Sequence, residues 1–422
     1  VLYLLFHWWF RPIFFFVYLQ PLSKFPRAIE VNMESEKLDQ PSHSKRTLRT
    51  FALASFLNDM GSDIIYPIWP LFVTEILKAN MTVLGFIDGL GEAVVSLAKA
   101  ISGYWSDRLR KRKGFIWTGY LMGAASRVGY ALSTVWQLLI PFRILDRAGK
   151  IRGAPRDAII ADISTDNTRG KNFGLLRTAD HFGAFCGILI CILLFNLLGY
   201  RNLFLIAALP SLFGAILILL KIKETRPSDR KIYRGLRFGD LNANLRLFLI
   251  LSAIFAMGNF TYSFLLIHAR QAGFKAAFVP VLYLIYTLFA SLSAYPFGKL
   301  ADRIGRKTVL QIAFLFWALV CLTVIFTQTT IFAILVFIFY GLHKGAIEPV
   351  QGALVAELAP PQFRASVLGA YQMVIGLCAF PASLLAGLLW DWIGFVAPFY
   401  LSLGLTISAS ILLLWLAEPH SA

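Results

Sequence analysis

The sequence predicts an all-α membrane protein whose twelve transmembrane helices form two pseudo-symmetric six-helix bundles. Three observations carry this expectation. Apolar residues come in blocks of about 20. Positive charge gathers in alternate loops. The chain also repeats itself at a single offset of 195 residues.

Of the 422 residues, 58% are hydrophobic and 15% charged, against roughly 25% charged in an average soluble domain. Blocks such as 202–222 and 396–416 match the length needed to cross roughly 30 Å of hydrocarbon at about 1.5 Å per residue. Backbone groups in lipid must be paired within the segment, so the blocks read as helices. They fall at 48–77, 81–105, 114–135, 137–160, 170–197 and 202–222, then at 245–271, 276–298, 306–327, 330–356, 364–390 and 395–416. The polar stretch 223–244 reads as a linker between bundles 48–222 and 245–417, and 418–422 as a tail. Residues 1–47 form an N-terminal segment and tail. Within them Met33 precedes a polar run and reads as the natural start, so the apolar, aromatic stretch 1–32 is set aside from the fold.

The net charge of +17 does not point to nucleic acid, because its distribution follows membrane orientation. Lys45, Arg46 and Arg49 precede the first span, Arg108 to Lys113 follow the second, the linker holds six Lys and Arg residues, and Lys299 to Lys307 follow the eighth. The opposite side holds only Lys78, Arg201, Lys275 and Arg270. Both termini are therefore expected on the cytoplasmic side of a bacterial inner membrane. Cys186, Cys191, Cys321 and Cys378 all lie in apolar blocks, and the six histidines are scattered. No spacing suits a metal, a disulfide framework, a nucleophile–base pair or a phosphate-cradling loop. Neither a cofactor nor a catalytic residue is expected.

The repeat pairs Gly103 with Gly298, Asp107–Arg108 with Asp302–Arg303, Ala158 with Ala353, Asp162 with Glu357, and Arg169 and Gly174 with Arg364 and Gly369. It implies two equivalent halves with a solute path between them.

At 103–112 the chain reads GYWSDRLRKR and at 298–307 GKLADRIGRK. Both resemble the loop signature of the major facilitator superfamily, G-x-x-x-D-R-x-G-R-R, with Arg110 in place of a glycine in the first copy. The resemblance covers residues 48–417. It implies the major facilitator fold, a monomeric carrier working by alternating access, and a small-molecule substrate. Gly103, Asp107, Arg108, Arg112, Gly298, Asp302, Arg303, Gly305 and Arg306 are the expected gating loops. Their carboxylates can accept from helix starts and arginines and so latch the halves on the cytoplasmic side. LNDMGSDIIYPIWPLF (57–72) and RILDRAGKIRGAPRDAIIAD (143–162) resemble a bacterial branch grouped with drug–proton antiporters. Gly174, Gly183 and Gly187 match part of that group's fifth-helix motif, but Ile188 and Cys191–Ile192 replace its proline and glycine pair.

Ionisable residues within spans each cost roughly 2.5–3.5 kcal/mol at a helix centre. Arg143, Asp146, Arg147, Lys150 and Asp157 share an arc of roughly 100° on the fourth span, with Arg152 and Arg156 opposite. They must face protein or water. Asp88, Glu92 and Lys99 form one stripe on the second span. Asn58, Asp59, Asp63 and Tyr66 lie in the first span, and Arg177, Asp180 and His181 in the fifth. The second half offers less: His343, Lys344, Glu348, Asn259 and Tyr262. Three roles compete for this network. Paired charges pin helices together. A desolvated carboxylate among Asp59, Asp63, Asp88, Glu92 and Asp180, or His181, exchanges protons. Arg143, Arg147 and Lys150 hold an anionic group. By family analogy Tyr66, Tyr262, Tyr340 and Tyr371 line the gap. The expected activity is proton-coupled export of a small organic solute. The alternatives are proton-coupled uptake of an anionic metabolite or chelate, and a non-transporting receptor or scaffold.

Overall fold

The computed structural model describes residues 40–109, 111–224, 241–327, 329–359 and 364–417. The aromatic start, the Met33 reading, most of the linker and the C-terminal tail lie outside them. Twelve helical spans are present among the described residues. α1 runs Gln40–Ile65, turns, and ends as Trp69–Leu71 and a π-type turn Phe72–Ile76. α2 is Met81–Arg108 and α3 Lys113–Leu132. α4 comprises Leu139–Ala148, a 3-10 turn Gly149–Arg152, and Gly153–Asp162. The run Asp166–Lys221 is kinked at Gly199 (φ 67°, ψ −174°), with α5 before and α6 after it. α7 is Ala243–Gly258 followed by Ser263–Gln271. α8 is Val279–Ile304, α9 Arg306–Phe326, α10 Thr330–Leu358, α11 Arg364–Trp392 and α12 Ala397–Leu414.

Three spans expected as continuous are broken. α1 breaks around Pro67 and α7 over 259–262, positions that correspond at the offset of 195. Proline has no N–H for the ladder, which accounts for α1. In α7, Asn259 lies just past the helix end and its amide meets His343 on α10. α4 tightens over Gly149–Arg152, where Gly149 and Gly119 of α3 lie so close that a Cβ on either would meet the other's backbone.

Eight segments among the described residues are long and apolar enough to cross a bilayer, and one of them, Lys171–Lys221, is the α5–α6 pair. The spans missing from that set are α1, α3 and α4. These three bury polar groups, including Asn58, Arg127 and Arg143, so low hydropathy there reflects protein-facing surfaces.

In the first half α1 and α3 pack on the α5–α6 pair, and α4 on α2 and α3. In the second half α10 packs on α8 and α9, and α12 on α7 and α9. The halves meet through α2 against α11, α8 against the α5–α6 run, and the ends of α1 and α7. The α2–α11 contact depends on glycine. A Cβ on Gly85 or Gly89 would strike the backbone of Ser383 or Phe380. The stretch GFIDG (85–89) is thus a small-xxx-small surface facing the other half.

Candidate functional site

We call the end bearing the start of α1 and the ends of α2 and α12 the basic face, and the other end the far face. Polar contacts between the halves gather toward the far face. Asp88 on α2 is 2% exposed. Its Oδ1 accepts from Trp69 Nε1 (2.8 Å) and Arg143 (2.6 Å) of the same half. Its Oδ2 accepts from Thr261 Oγ1 (3.3 Å) and Ser263 Oγ (2.5 Å) of the other. The Arg143 guanidinium lies 4.4 Å over the Trp69 ring. Trp69 follows the break in α1, Thr261 lies in the break in α7 and Ser263 follows it, so both irregular segments converge on one carboxylate.

Further contacts join the halves, among them Ser96 Oγ to the Gln372 carbonyl at 3.5 Å. Tyr283 donates to Asp63 at 3.3 Å. Glu75 and Arg270 pair at 2.7 Å. Asp391, at the end of α11, accepts from the Met81 and Thr82 N–H groups (3.2 and 2.7 Å) and the Thr82 hydroxyl (2.6 Å). It thereby caps α2 from the opposite half, satisfying orphan donors and the positive end of the helix dipole.

Nearer the middle, Arg147 reaches Tyr66 OH (3.3 Å), Asp146 (3.6 Å) and Glu92 (4.0 Å), while its Nε is buried without a hydrogen bond. The Glu92 side chain is 49% exposed. A carboxylate at mid-span facing hydrocarbon is costly, so this exposure is read as a hydrated cleft. Lys150 is half-buried on the 3-10 turn, and Lys344 lies 5.6 Å over Tyr340. Glu348 is exposed. Toward the basic face Arg177 reaches Asp180 (3.3 Å) and Asp157 (4.0 Å), with Arg156 on Asp157 at 2.9 Å. His181 is exposed on α5.

Arg143, Asp146 and Arg147 of the fourth-span face lie together with Asp88 and Glu92 as facing acids, while Asp157, beyond the 3-10 turn, pairs with Arg156. Asn58 and Asp59 are joined at 2.8 Å. Tyr371 departs from its gap-lining expectation: it is buried against Phe248, centroids 5.7 Å apart. Tyr340 is also buried, its ring tilted against Tyr286 with centroids 4.8 Å apart.

The loop motifs form their pairs inside each half. Arg112 bonds Asp162 at 2.5 Å, and Arg306 pairs with Glu357 and lies 3.9 Å from Asp302. The acids in these two pairs, Asp162 closing α4 and Glu357 closing α10, are equivalent at the offset of 195. Arg108, Asp302 and Arg303 are exposed, and the Asp107 side chain lies outside the description. Gly305 has φ 95°, the left-handed conformation that the turn into α9 requires. Gly103 and Gly298 face Ala154 and Pro349, again equivalent positions.

Sequence reasoning missed Arg127, which is 2% exposed. It donates to the Ala207 carbonyl (2.7 Å), the Asn58 carbonyl (3.2 Å), Ser62 (2.8 Å) and Ser211. It pins α1, α3 and α6 without a direct carboxylate contact. Arg127→Leu would leave these acceptors buried and unpaired, at about 1–3 kcal/mol each before relaxation. The purified variant is expected to melt at least about 5 °C lower; a wild-type melting curve would contradict this role.

Two six-helix halves closed at one end, with buried charges along their interface, define a membrane transporter. A family model described as Major Facilitator Superfamily matches residues 51–273 and 247–422, and the chain belongs to that superfamily. An uncharacterized MFS-type transporter of Methanocaldococcus jannaschii is 35% identical over 373 residues, covering 86% of this chain and 93% of the relative. The multidrug resistance protein MdtG of Escherichia fergusonii is 28% identical over 339 residues, covering 76% and 83%. Among solved structures, the nucleoside transporter NupG superposes with TM-score 0.71 at 15% identity, covering 87% of this chain and 97% of that one. An inward-facing bacterial homolog of the human lysosomal transporter Spinster gives 0.67 at 15%, covering 89% and 95%.

Proposed function

We propose that the protein exports a small organic solute in exchange for protons, by alternating access, with its basic face and both termini in the cytoplasm. The observation that carries this reading is the contrast along the half–half interface. The far face is closed by Asp88, Asp63, Asp391 and the Glu75–Arg270 pair, while the Glu92 side chain is 49% exposed and touches Arg147 only at 4.0 Å. A carboxylate held that loosely can exchange a proton as the halves rock, and Arg147 is released or recaptured with it. Export and drug-like cargo find support in the similarity to MdtG. The protein acts as a monomer, without a cofactor or enzymatic chemistry.

In proteoliposomes, an imposed pH gradient is expected to drive solute movement. Glu92→Gln is expected to reduce gradient-driven flux at least tenfold while leaving solute exchange without a gradient. Unchanged gradient-driven flux in Glu92→Gln would remove Glu92 from coupling.

A second reading, uptake of an anionic solute, is favoured by Arg147, whose buried Nε makes no hydrogen bond although Asp146 lies 3.6 Å away. Flux direction with inside-out and right-side-out vesicles separates the two. Asp302→Asn tests the receptor alternative, since a non-cycling protein would keep its function.

A further inference from the structure

Between the start of α1 and the end of α6 lies a groove of about 470 Å³ at the basic face. Lys45, Arg46 and Arg49 border it from α1 and Lys221 from α6, with Leu53 and Leu217 deeper in. Among the described residues none of the four cations pairs with a carboxylate. The two helices run in opposite directions, yet their stripes match. Lys45, Arg49 and Leu53 follow one another at intervals of four on α1, as do Leu217 and Lys221 on α6. Both helices therefore present charge outward and a leucine toward mid-membrane. Below the groove, α6 exposes Phe213, Ile216 and Leu220, an apolar flank continuous with the leucines.

Topology alone does not require this cluster. At the offset of 195, the residues corresponding to Arg46, Arg49 and Lys221 are Leu241, Asn244 and Leu416. The second half occupies the same membrane with no cation at these positions.

We propose that this groove binds the phosphate of one anionic phospholipid, with an acyl chain lying over Leu53 and Leu217. Four cations with no carboxylate partner among the described residues attract anionic headgroups at a membrane surface, and the apolar floor selects a lipid over a free anion. An occupied groove would tie α6 to the outer end of α1, the helix that carries Asn58, Asp59 and Asp63.

The test uses the full chain, purified in a neutral detergent and titrated with phosphatidylglycerol, phosphatidylcholine or inorganic phosphate. Phosphatidylglycerol is expected to raise the melting temperature saturably by about 3 °C or more, and the other two to leave it unchanged. Arg46→Gln/Arg49→Gln is expected to lose the shift, and Arg46→Lys/Arg49→Lys to keep most of it. Lys221→Gln, a single exposed change, gives a milder loss should the double variant not fold. Native mass spectrometry should count one fewer retained phosphatidylglycerol in the glutamine variants. An equal shift with phosphatidylcholine, an equal shift with phosphate alone, or a full shift in both glutamine variants would overturn the proposal.

Discussion

Asp88→Asn is expected to abolish transport and to destabilise the protein strongly. The carboxylate accepts four hydrogen bonds, two from each half, and faces a guanidinium that is itself 2% exposed. The amide keeps the shape and removes the charge. Arg143 is then buried without its counter-ion, a loss of about 3–5 kcal/mol. One oxygen also becomes an N–H₂ group, which cannot accept from the hydroxyls or from Arg143. Asp88→Asn/Arg143→Gln removes both charges and is expected to recover much of the stability, because an uncompensated ion costs more than a neutral polar pair. Transport should stay at least tenfold below wild type in both, since neither keeps the Asp88–Arg143 ion pair at the point where Thr261 and Ser263 of the other half meet Asp88. Melting curves and flux measured on the same preparations check this. Wild-type melting behaviour in the single variant would refute the hub.

Asp391→Ala is expected to shift the resting protein toward a state open at the far face. Losing a cap costs about 0.5–2 kcal/mol. Here that stabilisation exists only while the halves touch, because the capped helix and the capping residue belong to different halves. Roughly 1.4 kcal/mol moves a two-state equilibrium about tenfold. Spin labels replacing the exposed Lys78 and Lys275, on opposite halves of the far face, report the separation. The long-distance population should grow about tenfold, with melting little changed. Unaltered distances would place the closing force elsewhere.

The charged face of α4 was legible because helical periodicity is local: Arg143, Arg147 and Asp146 fall together at 100° per residue whatever surrounds them. Asp88 and Glu92 followed from the same rule. Their partners across the interface did not. Thr261 and Ser263 are ordinary residues in a span, and their value to Asp88 comes from contacts 173 and 175 residues apart in sequence. Asp391 sits between two tryptophans in WDWIG and resembles interface decoration. Arg127 escaped notice because its neighbours in sequence are small and its partners are carbonyls and hydroxyls. The break in α1 was signalled by Pro67, and the close α2–α11 contact by GFIDG; the break in α7 had no proline to mark it. The loop motifs placed Asp302 and Arg306 at a turn, but the pairing acids Asp162 and Glu357 lie a whole helix pair away. The repeat nevertheless aligned those two acids.

Glu75 and Arg270 are separated by 195 residues, the period of the repeat itself, and each lies in the last turns of the first span of its half. They are the same position in two copies, meeting at the line about which the copies are related. Two identical six-helix chains associating this way would confront like with like, acid on acid or base on base, and repel. Opposite signs are available only where the two halves differ in sequence, and here one carries Glu75 and the other Arg270. The ion pair is therefore a contact that asymmetry between the halves makes possible.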